Sequence, residues 1–250
     1  MKLRYIILTL LCQITLSASA LDFGENTSVA LRIGANLGGT MPLDMPGSIR
    51  GLNSYSVQFN PHVSMTANMP ISSRLSVESG LRIERKAMRT DANVKGYHMK
   101  MVRGSDVIEG VFTGGVVTKC VTWGLAVPAQ LAYNFGADVK LRVGPVLSAM
   151  FYKDFAGYAY DGYLRKGTPI GERVEIGTTQ EQRGEYNFGK EMRTFQFAMD
   201  VGVDWSITSG YGVFADVQCG LNGAFKTSFK TIEQTMYPIY CTVGLIKRIK

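Results

Sequence analysis

The stretch Tyr55-Ser56-Val57-Gln58-Phe59-Asn60-Pro61-His62-Val63-Ser64-Met65-Thr66-Ala67-Asn68 alternates apolar and polar residues without a miss. Successive side chains on a strand point to opposite faces, so this segment reads as one strand with an oily phase starting at Tyr55 and a wet phase starting at Ser56. The direction of the oily phase decides the fold. A soluble β protein buries it in a core, whereas a membrane barrel turns it to lipid and folds the wet phase into its lumen.

The same period recurs over 29–38, 75–84, 121–134, 139–151, 195–205, 211–221 and 237–246, which with 55–68 makes eight strands, an even number. Each is about ten residues or longer, near the roughly 9–11 that cross a bilayer when tilted. The connections sort by length: 69–74, 136–138 and 206–210 are short, while 39–54, 88–116, 152–194 and 222–236 are long. Short turns at one end and long loops at the other belong to outer-membrane barrels, and a soluble sandwich has no reason to sort them so. The wet phase holds Gly, Ser, Asn, Gln and charges, a poor surface for a soluble protein and a workable filling for a narrow lumen. The expected fold is therefore all-β, an eight-stranded antiparallel transmembrane barrel with its oily phase facing lipid. Tyr55, Tyr133, Phe135, Phe151, Trp205, Tyr211 and Tyr237 fall at strand ends, where interface girdles sit.

Composition agrees. The 250 residues are 46% hydrophobic and 19% charged, with Gly 28, Tyr 12 and Phe 12, which suits many strands joined by turns. Lys2 and Arg4, an apolar run over 5–16 and the small residues Ala18-Ser19-Ala20 read as a secretory signal peptide over 1–20, leaving 21–250 as one barrel domain. No later apolar stretch is long enough for a spanning helix. Cys12 leaves with the signal. Cys120, Cys219 and Cys241 remain, too few for a disulfide scaffold, and whether Cys219 meets Cys241 is open. The formal charge of +7 points to an anionic membrane surface rather than nucleic acid, given export and the lack of a basic helix.

Arg32-Ile33-Gly34-Ala35-Asn36-Leu37-Gly38, the run from Leu125 through Pro128 to Phe135, Val143-Gly144-Pro145 and Asp200-Val201-Gly202-Val203 carry a resemblance to the PorT-like outer-membrane β-barrel family of Bacteroidota. One departure stands out. Two residues before the strand-four proline, where such barrels often carry an acid, this chain has Ala126. The resemblance implies an eight-stranded barrel and, as for the family's namesake, a part in type IX protein secretion.

The strand registers aim Arg32, Glu78, Arg82, Glu84, Lys140, Arg142, Asp200 and Asp216 inward, and charges removed from water require partners, so a structural ion network in the lumen is expected. An enzyme is not. Only His62 and His98 are available, no metal-ligand spacing or Gly-x-Ser-x-Gly occurs, and a triad drawn from His62, Ser64 and an inward carboxylate has no motif behind it. No catalytic, cofactor or metal residue is assigned. Function in barrels concentrates in loops. Phe155, Tyr158, Tyr160 and Tyr163 beside Arg165 and Lys166 suit protein contact, while Arg85, Lys86, Arg89, Lys95, Lys100 and Arg103 suit lipopolysaccharide phosphates. The sequence thus points to a non-enzymatic outer-membrane protein: an accessory to protein secretion with secretion-machinery partners or, alternatively, a structural or adhesive surface barrel. A lipid-modifying enzyme ranks third.

Overall fold

The computed structural model describes residues 27–44, 46–232 and 234–249, so the expected signal peptide and Cys12 lie outside the described residues. In lipid every backbone N–H and C=O must pair inside the protein, which only a closed sheet can achieve with strands. Eight strands close here: β1 (Ser28–Pro42), β3 (Pro61–Pro70), β4 (Leu75–Arg103), β5 (Asp106–Phe135), β6 (Val139–Lys166), β9 (Phe195–Ser206), β10 (Tyr211–Gly220) and β11 (Met236–Arg248). Each pairs antiparallel with the next, and β11 returns to β1 with Ala35 opposite Val243. Three accessory strands sit off the ring: β2 (Ile49–Val57) on β4, β7 (Arg173–Ile176) on β6, and β8 (Gly184–Asn187) between β4 and β6.

The oily phase faces out. Ile33, Leu81, Val127, Val143, Val201, Val217 and Leu245 are exposed round the cylinder, while Asn36, Ser64, Glu78, Gln130, Arg142, Asp200 and Asp216 are buried within it. Tyr133, Phe135, Trp205 and Tyr211 are exposed beside the short turns, and Phe151 and Tyr55 at the opposite level. All eight expected strands are present as ring members, yet two details differ from the sequence reading.

The opening stretch is not one strand. β2 ends at Val57 and β3 begins at Pro61, with 58–60 outside any strand. Pro61 lacks an N–H for the ladder and is tolerated as a first strand residue, and Asn60 turns inward to donate Nδ2 to the Ala87 carbonyl at 2.8 Å. Tyr55 to Val57 consequently pair with Thr90 to Met88 of β4 rather than with β1.

The expected long loops at 88–116 and 152–194 are largely strand. β4, β5 and β6 run 29, 30 and 28 residues, about 95 Å at roughly 3.3 Å per residue, far beyond the bilayer. A two-residue turn, Gly104-Ser105, closes β4 on β5, with Gly104 in the left-handed region at φ 61°. Within these strands the chemistry of the faces exchanges. On β4 the inward row reads Glu78, Arg82, Glu84, Lys86 and then Met88, Ala92, Val94, while the outward row reads Val77, Leu81, Ile83 and then Arg89, Asp91, Lys95. Below the exchange the surroundings are lipid; above it they are water, and a β layer in water buries its apolar side. Met88, Val94, Phe112, Val116, Phe155 and Leu164 accordingly form a dry core in the extension.

Arginine placed on the lipid face at Val201 is expected to cost about 2–4 kcal/mol of unfolding free energy in vesicles, whereas arginine at Val107, exposed near the extension's tip, changes it by less than about 0.5 kcal/mol. Urea titration of the two variants checks this.

Candidate functional site: a charged lumen beneath a strand extension

Eight strands enclose a lumen just wide enough for side chains to fill. Arg142 on β6 stands at its centre, fully buried, with Nη2 2.7 Å from Asp204 and 2.5 Å from Asp216 and Nη1 donating to Gln130 at 3.1 Å. Asp204 also binds Arg32 at 2.8 Å, and Arg32 in turn lies 2.7 Å from Glu78. Arg82 meets Asp200 at 2.5 Å, and Lys140 stands 3.7 Å from Glu78. Glu84 pairs with Lys86 at 2.5 Å.

Every residue aimed inward from sequence thus has a partner in the lumen. Asp204 and Lys86 join them, the latter in place of the lipopolysaccharide contact expected of it. Asp204 was legible, since it shares the wet phase of Asp200; Lys86 lay two residues beyond Glu84 in the same phase. With both included, Arg32, Arg82, Lys86, Lys140 and Arg142 balance Glu78, Glu84, Asp200, Asp204 and Asp216. A compensated set offsets much of the cost that isolated buried charges would carry.

Small residues make room for the cluster. A Cβ on Gly202 would stand 2.0 Å from Asp216 Oδ1 and 2.8 Å from Arg142 Nη2. One on Gly244 would meet the Phe214 ring at 2.6 Å, so that ring fills the lumen only because this β11 position is glycine. His62 comes within 3.2 Å of Ser64 Oγ and 3.7 Å of Glu84, the latter too long for a hydrogen bond. All three are buried, and Glu84 is held by Lys86. Among the described residues no group of His, Cys, Asp and Glu is arranged to hold a metal ion.

The residues expected in a partner loop sit instead on β6 and are engaged within the chain. Phe155 is buried in the dry core against Phe225, which corrects its assignment as a contact residue. Tyr158 packs under Arg183 at 4.2 Å, Tyr160 donates to Asp91 at 2.9 Å, and Tyr163 lies against Arg165 and Arg173 at 5.8 and 4.2 Å. Burial, with the Asp91 carboxylate beside it, pushes the Tyr160 hydroxyl's pKa up. Lys166 is exposed and paired with Glu172 at 2.8 Å. Of the basic residues, Arg85 turns back to Phe59 and Asn60, while Arg89, Lys95 and Lys100 stay exposed on the extension. Cys120, Cys219 and Cys241 are free thiols; Cys219 stands opposite Ile239 and Cys241 opposite Val217, two positions apart on neighbouring strands.

Replacing Arg142 by Met leaves Asp204 and Asp216 short of a cation and is expected to destabilise the barrel by about 3–5 kcal/mol. Adding Asp216→Asn restores part of that loss, a coupling that urea unfolding of the single and double variants measures.

No curated protein sequence matches the chain. Among solved structures it is similar to the attachment invasion locus protein Ail of Yersinia pestis, at 7% identity over 89% of this chain and 97% of that one, with a TM-score of 0.34. It is also similar to the outer membrane protein OprG of Pseudomonas aeruginosa, at 10% identity over 89% and 94% of the two chains, with a TM-score of 0.30. The family model described as outer membrane protein beta-barrel domain matches residues 19–226, most of the chain. A closed ring with lipid-facing aliphatics is what such a domain requires, and the chain belongs to this family of outer-membrane β-barrel proteins.

Proposed function

We propose that this chain is a non-enzymatic, non-conducting barrel whose working part is the extension it raises above the outer membrane. The observation that carries this reading is the pairing of a lumen filled by compensated ion pairs with three strands that continue far beyond the bilayer. A filled lumen leaves no path for solutes. Long paired strands hold an outer surface in one shape, and function in barrels gathers where the membrane does not constrain sequence. The first twenty residues act in this reading as the export signal, removed before insertion.

The surface offers the exposed cations Arg89, Lys95 and Lys100, suited to the phosphates of lipopolysaccharide or to an acidic extracellular ligand. The surface-contact role therefore leads. The accessory role in type IX secretion, with secretion-machinery partners, is supported only by the resemblance to PorT-like barrels and would use the same surface.

In planar bilayers the refolded protein is expected to give no conductance steps above background; steady ion-conducting levels would reject the sealed lumen. A deletion strain separates the two roles. The surface-contact role predicts an unchanged set of exported proteins with altered attachment or envelope resistance, and loss of exported cargo with an intact membrane would favour secretion.

A further inference from the structure

Above the ion cluster the inward row of β4 turns apolar at Met88, and the space it encloses is not filled. A cavity of about 210 Å³ remains between the end of β1, β2, β4, β5, β6, β8 and the start of β11, lined by Met88, Val94, Val116, Phe155, Ile232 and Met236 among others. Part of its polar edge is committed. The Tyr186 hydroxyl on that wall is 2.7 Å from Thr118 Oγ1 and 3.1 Å from the Val117 carbonyl, and burial pushes its pKa up. A cavity of about 150 Å³ with such walls stays dry and takes benzene, so this one accommodates somewhat more hydrocarbon than a benzene ring. It is also smaller than the roughly 300 Å³ and upward of sites that enclose whole ligands. Its occupant is therefore part of a molecule whose remainder stays outside.

The wall has a seam that supplies the entrance. β1 pairs with β3 only up to Ala35 opposite Pro61, and β2 pairs only with β4. Beyond that point β1 and β2 are joined by the Tyr55 hydroxyl donating to the Gly38 carbonyl at 2.5 Å, with Asn36 N to Asn60 O at 2.8 Å at the base. Met41, Leu52 and Tyr55 line the cavity and are at the same time 41%, 57% and 40% exposed, so they form its mouth. Met41 continues the exposed lipid-facing row of Ile33 and Leu37 along β1. The mouth thus opens beside the apolar belt, at the level where the chain leaves the bilayer.

From this geometry we propose that the chamber binds the end of one acyl chain of a membrane amphiphile, which enters sideways between β1 and β2 while its polar head stays at the interface. The proposal is independent of what the outer surface contacts. Two sources share this chemistry: a lipid of the outer leaflet and a free fatty acid.

The test uses the full-length barrel refolded in lipid nanodiscs with ¹³C-methyl methionine. Met88 and Met99 report on the chamber, and Met199, exposed on the lipid face, is the control. Decanoic acid is expected to shift the Met88 and Met99 signals saturably while Met199 changes little. Ala92→Phe, which fills the chamber, weakens that response by about tenfold or more. Leu52→Lys, which puts a charge at the mouth without touching the core, weakens it similarly and keeps the proposal testable if the first variant folds poorly. Phospholipid spin-labelled near its chain end, with no free acid present, assigns the occupant: broadening of Met88 identifies a bilayer lipid, and broadening only by spin-labelled fatty acid identifies the free amphiphile. No response of Met88 to either probe, or a response that both substitutions leave unchanged, overturns the proposal.

Discussion

In hydrocarbon a backbone amide without a partner is too costly to keep, and that constraint organises the rest of this molecule. It forces the eight strands to close, with β11 returned to β1 in register from Ala30 opposite Arg248 to Pro42 opposite Met236. Closure in one register sends a whole phase of every strand inside. The inside of an eight-stranded ring is just wide enough for side chains to fill, so the wet phase pairs chiefly with itself. Arg142, reaching Asp204, Asp216 and Gln130 together, is how it does so.

The same strands meet a second solvent above the bilayer, and the exchange of faces on β4 between Lys86 and Met88 marks the boundary. Below it burial selects Glu78, Arg82 and Glu84; above it burial selects Met88, Val94 and Met99. No break in the ladder accompanies the change, since Lys86 and Met88 pair with Thr122 and Cys120 of β5 in one continuous register. Rigidity therefore passes from the membrane segment to the extension, and the chamber inherits walls from the ring strands β1, β4, β5, β6 and β11.

How much of this was legible in sequence depends on which solvent a residue meets. The eight ring strands, their even count and the outward oily phase followed from period-two alternation, because lipid on one side and a narrow lumen on the other keep that pattern clean. The continuation of β4 from Met88 to Arg103 was not legible by the same rule, since a search for an outward oily phase stops where the phase inverts, and Lys95-Gly96 then interrupts the ladder between Val94 and Tyr97. The break at Asn60 and Pro61 is hidden in the sequence because both respect the alternation while breaking the strand through an inward amide and a missing N–H. The ionic residues of the lumen were readable singly from their phase. Their partners across the lumen, such as Arg32 with Asp204, 172 positions apart, were not, because that contact depends on the tilt and stagger of the closed ring.

The most direct measurement of the central claim is a nitroxide scan of β4 in lipid vesicles, comparing oxygen with a water-soluble nickel complex as relaxing agents. Labels at Val77, Leu81 and Ile83 should meet oxygen dissolved in lipid, and labels at Arg89, Asn93 and Lys95 should meet the nickel complex, with the crossover near Arg85 to Ala87. Water-soluble reagent reaching Val77, Leu81 and Ile83 would contradict the account, for it would mean that the oily face does not clothe a membrane-embedded cylinder.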